Sequence, residues 1–209
     1  MKKTEKTRKI KILAVGDVHG DTDLIKKMAE KSKKENVDFI VLAGDLTWLE
    51  QSTKNLIGPL IKNDTPILMI PGNHETMPTI NFLKEMYPNV KIIHGKSFQK
   101  KGLGFFGAGY ATTAGPFWIG EEKVFNLLRK SHDKIKNLDK KIMVTHMHPR
   151  DSRNEFSGWK GSKAVKKAIK EFQPDIAICS HIHEASGLEE KLGKTRIINV
   201  SKKPKLIKL

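Results

Sequence analysis

Aspartate, asparagine and histidine recur in this sequence directly after short apolar runs. The run ending at Val15 leads into Gly16-Asp17-Val18-His19-Gly20, and the run ending at Ala43 into Gly44-Asp45-Leu46. A third, ending at Ile70, leads into Pro71-Gly72-Asn73-His74-Glu75. Later, IMVT is followed by His146-Met147-His148-Pro149, and IAIC by Ser180-His181-Ile182-His183. Of the eight histidines, only His94 and His132 lie elsewhere. Carboxylate, amide and imidazole groups offer oxygen and nitrogen donors without thiolate. Such a set suits manganese, iron, zinc or cobalt rather than a soft-metal site. Taken singly, each segment has an ordinary explanation. Asp-x-His arises by chance, Gly-Asp-Leu makes a strand-end turn, Asn73 can cap a helix, and His181-x-His183 can be two residues on one face of an edge strand. Together they point to one crevice, because the carboxyl ends of parallel strands share one edge of an α/β sheet. The neighbouring glycines let the backbone turn sharply beside a ligand.

The elements that must position these groups are legible in the first half. Lys11–Val15, Val37–Ala43 and Pro66–Ile70 read as buried strands, being short, aliphatic and closed by Gly or Pro-Gly. Asp21–Glu35 carries Leu24, Ile25 and Met28 on one helical face, and Leu56, Leu60 and Ile61 suggest a shorter helix. That βαβαβ order favours a mainly parallel sheet with helices packed on it. Val90–Tyr110 reads as antiparallel. Its Gly102-x-Gly104-x-x-Gly107 spacing imitates a dinucleotide fingerprint, but no helical pattern opens after Gly107, so close strand packing explains the glycines better. Gly120–Asn137 and Ser162–Phe172 read as helices, Lys141–Thr145 and Asp175–Cys179 as strands, and Ser186–Leu192 with Thr195–Val200 as a hairpin. Residues 1 to 9 and about 202 to 209 read as loose basic ends of one domain spanning 1–209, whose core is about 10–201.

Composition narrows the class. The 209 residues are 38% hydrophobic and 30% charged, enough for one core, and no apolar stretch approaches the roughly 18 residues of a membrane span. The single cysteine, Cys179, excludes an internal disulfide framework and a four-cysteine zinc site, and favours a reducing, cytoplasmic setting. The basic start imitates a signal peptide, but Lys11 and Asp17 interrupt its apolar part. A net charge of +16 invites a polyanionic partner. Yet only Arg8, Arg129, Arg150, Arg153 and Arg196 are arginines, so bidentate phosphate readers are scarce and solvated lysines abundant.

The set Asp17-x-His19, Gly44-Asp45, Gly72-Asn73-His74-Glu75, His146 and His181-x-His183 resembles the calcineurin-like metallophosphoesterase family, in its small single-domain branch. Order, spacing and strand-end placement agree over about residues 10 to 201. Two departures stand out. Ser180 occupies the place of the family's usual glycine, and His148 adds an imidazole two residues after His146. The resemblance implies an αββα sandwich of two mixed sheets flanked by helices. It also implies two divalent ions, manganese first, with iron, zinc, cobalt or nickel as alternatives. One ion would take Asp17, His19, Asp45 and His183. The other would take Asp45, Asn73, His146 and His181, with Asp45 bridging. A carboxylate bridge can hold two ions about 3.5–4 Å apart for in-line displacement by a bridging hydroxide, leaving a centre of about one positive charge for an anionic phosphate ester. His74 would contact the phosphate and assist the leaving oxygen. Glu75 would either orient His74 or favour the N-terminus of a following helix. His148 and Arg150 could reach substrate from their loop.

Three readings follow. The first is a dinuclear-metal phosphoesterase acting on a small phosphodiester or monoester. The second keeps the chemistry but makes DNA or RNA the substrate, prompted by the charge and the basic 160–170 segment. The third is a non-catalytic scaffold of the same fold, against which stands the complete ligand set. Substrate choice would lie in the loops Gly109–Pro116 and His148–Lys160, and oligomeric state is not encoded in any motif.

Overall fold

The computed structural model describes residues 9–61, 65–113 and 115–209. The basic N-terminal end expected over residues 1 to 9 thus lies outside the described residues, except for Lys9.

The first strand shows why the chain folds into layers. In β1 (Lys11–Val15), Ile12 and Ala14 point one way and Leu13 and Val15 the other, and all four are buried. A strand with two buried faces must lie between two apolar layers, and so reads as a continuous rather than alternating apolar run. β2 (Phe39–Ala43) and β3 (Ile67–Ile70) behave alike. With β4 (Val90–Ile92) and the C-terminal β11 (Lys205–Lys208) they form a five-stranded sheet ordered β11-β1-β2-β3-β4. Its outer face takes α1 (Thr22–Glu35) and α2 (Met77–Met86), where Leu13, Val15, Leu42 and Met69 meet Ile25, Met28, Ile80 and Leu83.

The second sheet has six strands, ordered β5-β6-β7-β8-β10-β9. These are β5 (Ser97–Lys100), β6 (Leu103–Ala108), β7 (Lys140–Thr145), β8 (Ile176–Cys179), β9 (Glu189–Leu192) and β10 (Thr195–Asn199). Strands β6, β7, β8 and β10 run parallel, and the flanking β5 and β9 pair antiparallel. Its outer face takes α3 (Glu121–Asp133) and α4 (Lys163–Phe172). Between the sheets, Ile12, Phe39, Val41 and Leu68 pack against Phe105, Ile142, Val144, Ile178 and Ile198. The architecture is therefore the expected αββα sandwich of two mixed sheets.

Four expectations are corrected. β4 pairs parallel with β3, so only the β5–β6 hairpin of the Val90–Tyr110 stretch is antiparallel. Leu56–Ile61 contains one 3-10 turn, Gly58–Leu60, where Gly-Pro interrupts the helical pattern. The helix expected over Gly120–Asn137 stops at Asp133. The C-terminal basic end is a strand paired antiparallel with β1, with Ile207 buried between lysine-bearing positions. The three glycines of the false fingerprint lie in the β5–β6 hairpin and in β6. A Cβ at Gly107 would stand 2.4 Å from the Val144 carbonyl oxygen, which is the close strand packing anticipated.

The two sheets join where their strands end. The amide of Gly16 donates to Val200 O and that of Lys202 to Gly16 O, each at 3.0 Å. This seam brings the carboxyl ends of β1, β2 and β3 beside those of β7, β8 and β10.

Candidate metal centre

Five loops leave those strand ends, and four of their functional residues adopt the left-handed region. Asp17, His19, Asp45 and His181 have φ of 53°, 49°, 51° and 74°. Non-glycine residues are uncommon there, and such strain gathers at sites that the surrounding structure holds in place. Gly44, at φ 89°, and Gly72 provide the close approach. A Cβ on Gly44 would lie 2.6 Å from His146 Nδ1, and one on Gly72 only 2.0 Å from Asp45 Oδ1. Without side chains at these two positions, His146 of the second sheet reaches across to the first. Its Nδ1 donates to Ala43 O at 2.9 Å, which leaves Nε2 facing Asp45 in the crevice.

The expected ligands converge. His183 Nε2 stands 3.5 Å and His19 Nε2 4.0 Å from Asp17 Oδ1. Asp45 Oδ2 lies 3.4 Å from His146 Nε2, 3.7 Å from His19 Nε2 and 3.9 Å from His74 Nε2. Asn73 Oδ1 is 2.9 Å from His146 Nε2, and His181 Nδ1 is 3.2 Å from the same nitrogen. Asp17, His19 and His183 make one group able to hold an ion and Asp45, His146 and His181 another. His19, Asp45 and His74 link the two, with donor atoms inside each group within 4.8 Å of one another.

These residues fit divalent cations on two observations. Among the described residues, Asp17 Oδ1 is buried without a hydrogen-bond partner. His19 Nε2 and His183 Nε2 face each other at 3.2 Å, two ring nitrogens that a shared cation would reconcile. The ion-free electrostatics point the same way. Burial works to raise the Asp17 pKa, but His183, His146 and the hydroxyls of Ser180 and Ser201 hold it well below the ordinary carboxylate value. Asp45 is likewise lowered, with His146 overcoming burial. Burial lowers His146, yet Asp45, Asp17 and the Ala43 carbonyl raise it to about 9. Burial and His146 push His181 down to about 3. Carboxylates kept ionised and imidazoles gathered around them make a candidate cation site.

The remaining candidates are placed differently from one another. His74 follows Asn73 and projects into the same crevice, and its amide donates to Asp45 Oδ1 at 3.0 Å. Glu75 lies just before α2, and among the described residues no hydrogen bond joins it to the His74 ring. Its buried carboxylate accepts from the amides of Gly72 (2.8 Å), Asp45 (3.1 Å) and Thr47 (2.7 Å), so it ties the β2 and β3 loops together. The helix that follows, α2, begins beyond it with Thr76 as N-cap. Burial and Asp45 raise the Glu75 pKa to about 7. His148 is fully buried and turns away from solvent. Arg150 lies against Asp151 and Glu155, at 3.8 and 3.7 Å.

Ser180, at the place of the family's usual glycine, takes part in the site. Its hydroxyl donates to Asp17 Oδ2, alongside the His181 amide at 2.9 Å, and this pair orients the carboxylate. Thr47, Trp48 and Glu50 carry no signal in the sequence. They follow Asp45 in a loop with no regular periodicity, so no pattern marks them.

A two-sheet sandwich with imidazoles and carboxylates gathered where strands of both sheets end is the layout of metal-dependent phosphoesterases. Residues 10–185 match the Calcineurin-like phosphoesterase family, and the chain belongs to it. No curated protein matches the sequence. Among solved structures, TT1561 of Thermus thermophilus aligns with a TM-score of 0.75 at 19% identity, over 92% of this chain and 89% of that one. GAP50, the anchor in the inner membrane complex of Plasmodium, aligns with 0.63 at 17%, over 93% and 72%. An archaeal phosphodiesterase aligns with 0.56 at 18%, over 96% and 100%. At these identities the likeness establishes the fold. No helix among the described residues is long and apolar enough to cross a membrane.

Proposed function

We propose that this chain, acting as a single domain in the cytoplasm, hydrolyses a phosphate monoester or diester with two divalent cations. Asp17, His19, Asp45 and His183 would hold one cation, and Asp45, Asn73, His146 and His181 the other. The observation that carries the reading is the convergence of these side chains from five strand ends of two sheets around Asp17 and Asp45, Asn73 joining through His146 Nε2. When bound, the cations supply positive charge for the phosphoryl oxygens and a nucleophile drawn from water near neutral pH. Manganese is the cation expected first.

The chain's own residues do the rest. Asp45 joins the two groups through one carboxylate, whose other oxygen is fixed by the His74 amide. Ser180 and the His181 amide hold Asp17 with its free oxygen facing His183. His74, partly exposed beside Asp45, holds an N–H toward the leaving oxygen. The test is hydrolysis of mono- and bis-nitrophenyl phosphate with manganese and with zinc. Asp45→Asn and His74→Ala should each abolish turnover. Full activity in the first would refute the ligand assignment, and in the second the role of His74.

A second reading, a nuclease with the same centre, has one observation in its favour. Arg150, Lys163, Lys166, Lys167 and Lys170 line a groove on the α4 side. Part of that charge is spent internally, since Lys166 bonds Asp151 at 2.6 Å and Lys167 sits over the Phe125 ring. DNA and RNA affinity measured across salt decides: a weak, flat response removes the nuclease.

A further inference from the structure

The indole of Trp48 stacks on the imidazole of His74, with ring centroids 4.5 Å apart and planes 29° from parallel. His19 closes the group edge-on, its centroid 4.8 Å from His74 and 5.1 Å from Trp48. Among the described residues, His74 Nδ1 is buried without a hydrogen-bond partner, and Nε2 stands 3.9 Å from Asp45 Oδ2. A histidine that handles protons is ordinarily oriented by a hydrogen bond to its second nitrogen. Here, among the described residues, ring packing alone fixes it.

The loop presenting Trp48 is pinned on both sides of the stack. Before it, Thr47 donates to Glu75 Oε1 through its amide (2.7 Å) and its hydroxyl (3.1 Å). After it, Glu50 Oε1 accepts from the Thr76 amide (2.8 Å), the Thr76 hydroxyl (2.6 Å) and the Thr79 hydroxyl (2.5 Å). Leu49 and Glu50 both adopt positive φ, the tight reversal these anchors impose. The loop after β2 and the loop after β3 thus clamp each other reciprocally, Glu75 reaching one way and Glu50 the other, with Trp48 and His74 between them. Yet Trp48 remains 47% exposed, so core burial does not account for a tryptophan here.

We propose that Trp48 is the positioning residue for His74, its indole face holding the imidazole in the plane that aims Nε2 at the leaving oxygen. The inference rests on the reading of His74 given above. Trp48→Ala, Trp48→Phe, His74→Ala and the Trp48→Ala/His74→Ala pair separate the two. Each is assayed as metal-loaded full chain on aryl phosphodiesters with nitrophenolate and with phenolate leaving groups. Trp48→Ala should lower kcat about 10- to 100-fold with little change in KM, as misplacement of a reacting group does. The loss should be greater for phenolate, which needs the proton more. Trp48→Phe should recover most of the rate, and in the His74→Ala background removal of Trp48 should cost almost nothing further. In ion-free protein, NOEs between the ring protons of His74 and His19, whose centroids lie 4.8 Å apart, should be lost in Trp48→Ala and kept in Trp48→Phe. Full kcat in Trp48→Ala with His74→Ala inactive overturns the inference alone. An undiminished Trp48 effect without His74 also overturns it, since the indole would then act on substrate directly. Full activity of His74→Ala removes both readings. Should the wild type hydrolyse no ester, the NMR comparison decides. His74–His19 NOEs retained in Trp48→Ala overturn the positioning role, and their loss upholds it.

Discussion

Replacing Gly16 with alanine would put a methyl group where Ser180 already stands. A Cβ at Gly16 lies 2.0 Å from Ser180 Oγ and 2.7 Å from Ser180 Cβ, with Ala43 Cβ at 3.3 Å. Gly16 does not need a positive φ, so the cost is one of space rather than of backbone conformation. Ser180 has little freedom to yield. It is fully buried, its amide donates to His146 O at 2.9 Å, and its hydroxyl donates to Asp17. Overpacking of this kind costs about 1–3 kcal/mol. Pushing the hydroxyl aside also strips a buried carboxylate of a charge-assisted bond, about 1.5–3 kcal/mol more. Gly16→Ala should therefore destabilise by about 3–5 kcal/mol. Ser180→Gly loses only the hydroxyl bond and should cost about 2 kcal/mol.

The two changes must not add. With Ser180 shortened to glycine, the two tightest contacts vanish and the next is Ala43 Cβ at 3.3 Å, so the double variant should sit near Ser180→Gly alone, about 2–3 kcal/mol below wild type. The coupling would then be about 3 kcal/mol, far outside the roughly 0.5 kcal/mol scatter of independent sites. Equilibrium urea unfolding of the four proteins measures it, with constant m values confirming a common native state. Additive losses, or a Gly16→Ala variant as stable as wild type, would refute the claim that Ser180 fills the space the glycine leaves.

Chelation of the purified protein should lower its melting temperature, and adding manganese or zinc at about 100 times Kd should restore about 2.7 kcal/mol. Asp45→Asn should abolish that response, as calorimetry would show. Ile207 is buried in the C-terminal strand, so Ile207→Ala should cost about 2–5 kcal/mol in the same unfolding assay. A neutral result would return the chain end to the loose segment its lysines suggest. Burial, with Lys123 and Lys96 nearby, holds the His94 pKa down at about 4, against 6.5 for a free imidazole. Its Nδ1 accepts from the Gly109 amide at 2.9 Å. Between pH 6.5 and 4 the unfolded chain binds a proton that the native state refuses, so stability falls as pH drops through that window, by about 2–3 kcal/mol. His94→Gln, which keeps an acceptor for Gly109, should remove that part of the slope. Equal slopes in both proteins would show that His94 is not the group responsible.

How much of this is legible in the sequence depends on whether a residue's role follows from its neighbours along the chain. Buried parallel strands announce themselves, because both faces are apolar, and whatever follows a strand in an α/β sheet is brought to the carboxyl edge. The ligand positions are readable for that reason. α2 escapes notice because Ile80 and Leu83 are its only fully buried side chains, too few to show a period. β11 escapes it because edge strands carry lysine to discourage pairing with other chains, and that charge masks the apolar alternation. The direction of β4 is misread because so short a strand cannot declare one.

The loops between strand and ligand are not legible at all, and the two glutamates show why. Glu50 and Glu75 have the same side chain, lie in loops of similar polarity, and both accept hydrogen bonds from the opposite loop. Glu75 sits beside a ligand motif and so invites a catalytic reading, whereas Glu50 sits in an unpatterned segment and invites none. Their partners in the opposite loop are 26 to 30 residues away in the chain, and only the pairing of β2 with β3 makes them neighbours. Each works by what lies across from it. Glu75→Gln would turn an amide donor toward at least one of three backbone N–H groups and cost about 1–3 kcal/mol. Glu50→Gln leaves one oxygen for its threonines and should cost less. If the two losses are instead equal, the buried carboxylate of Glu75 is not the stronger half of the clamp, and the rigidity of the Asp45 loop has another origin.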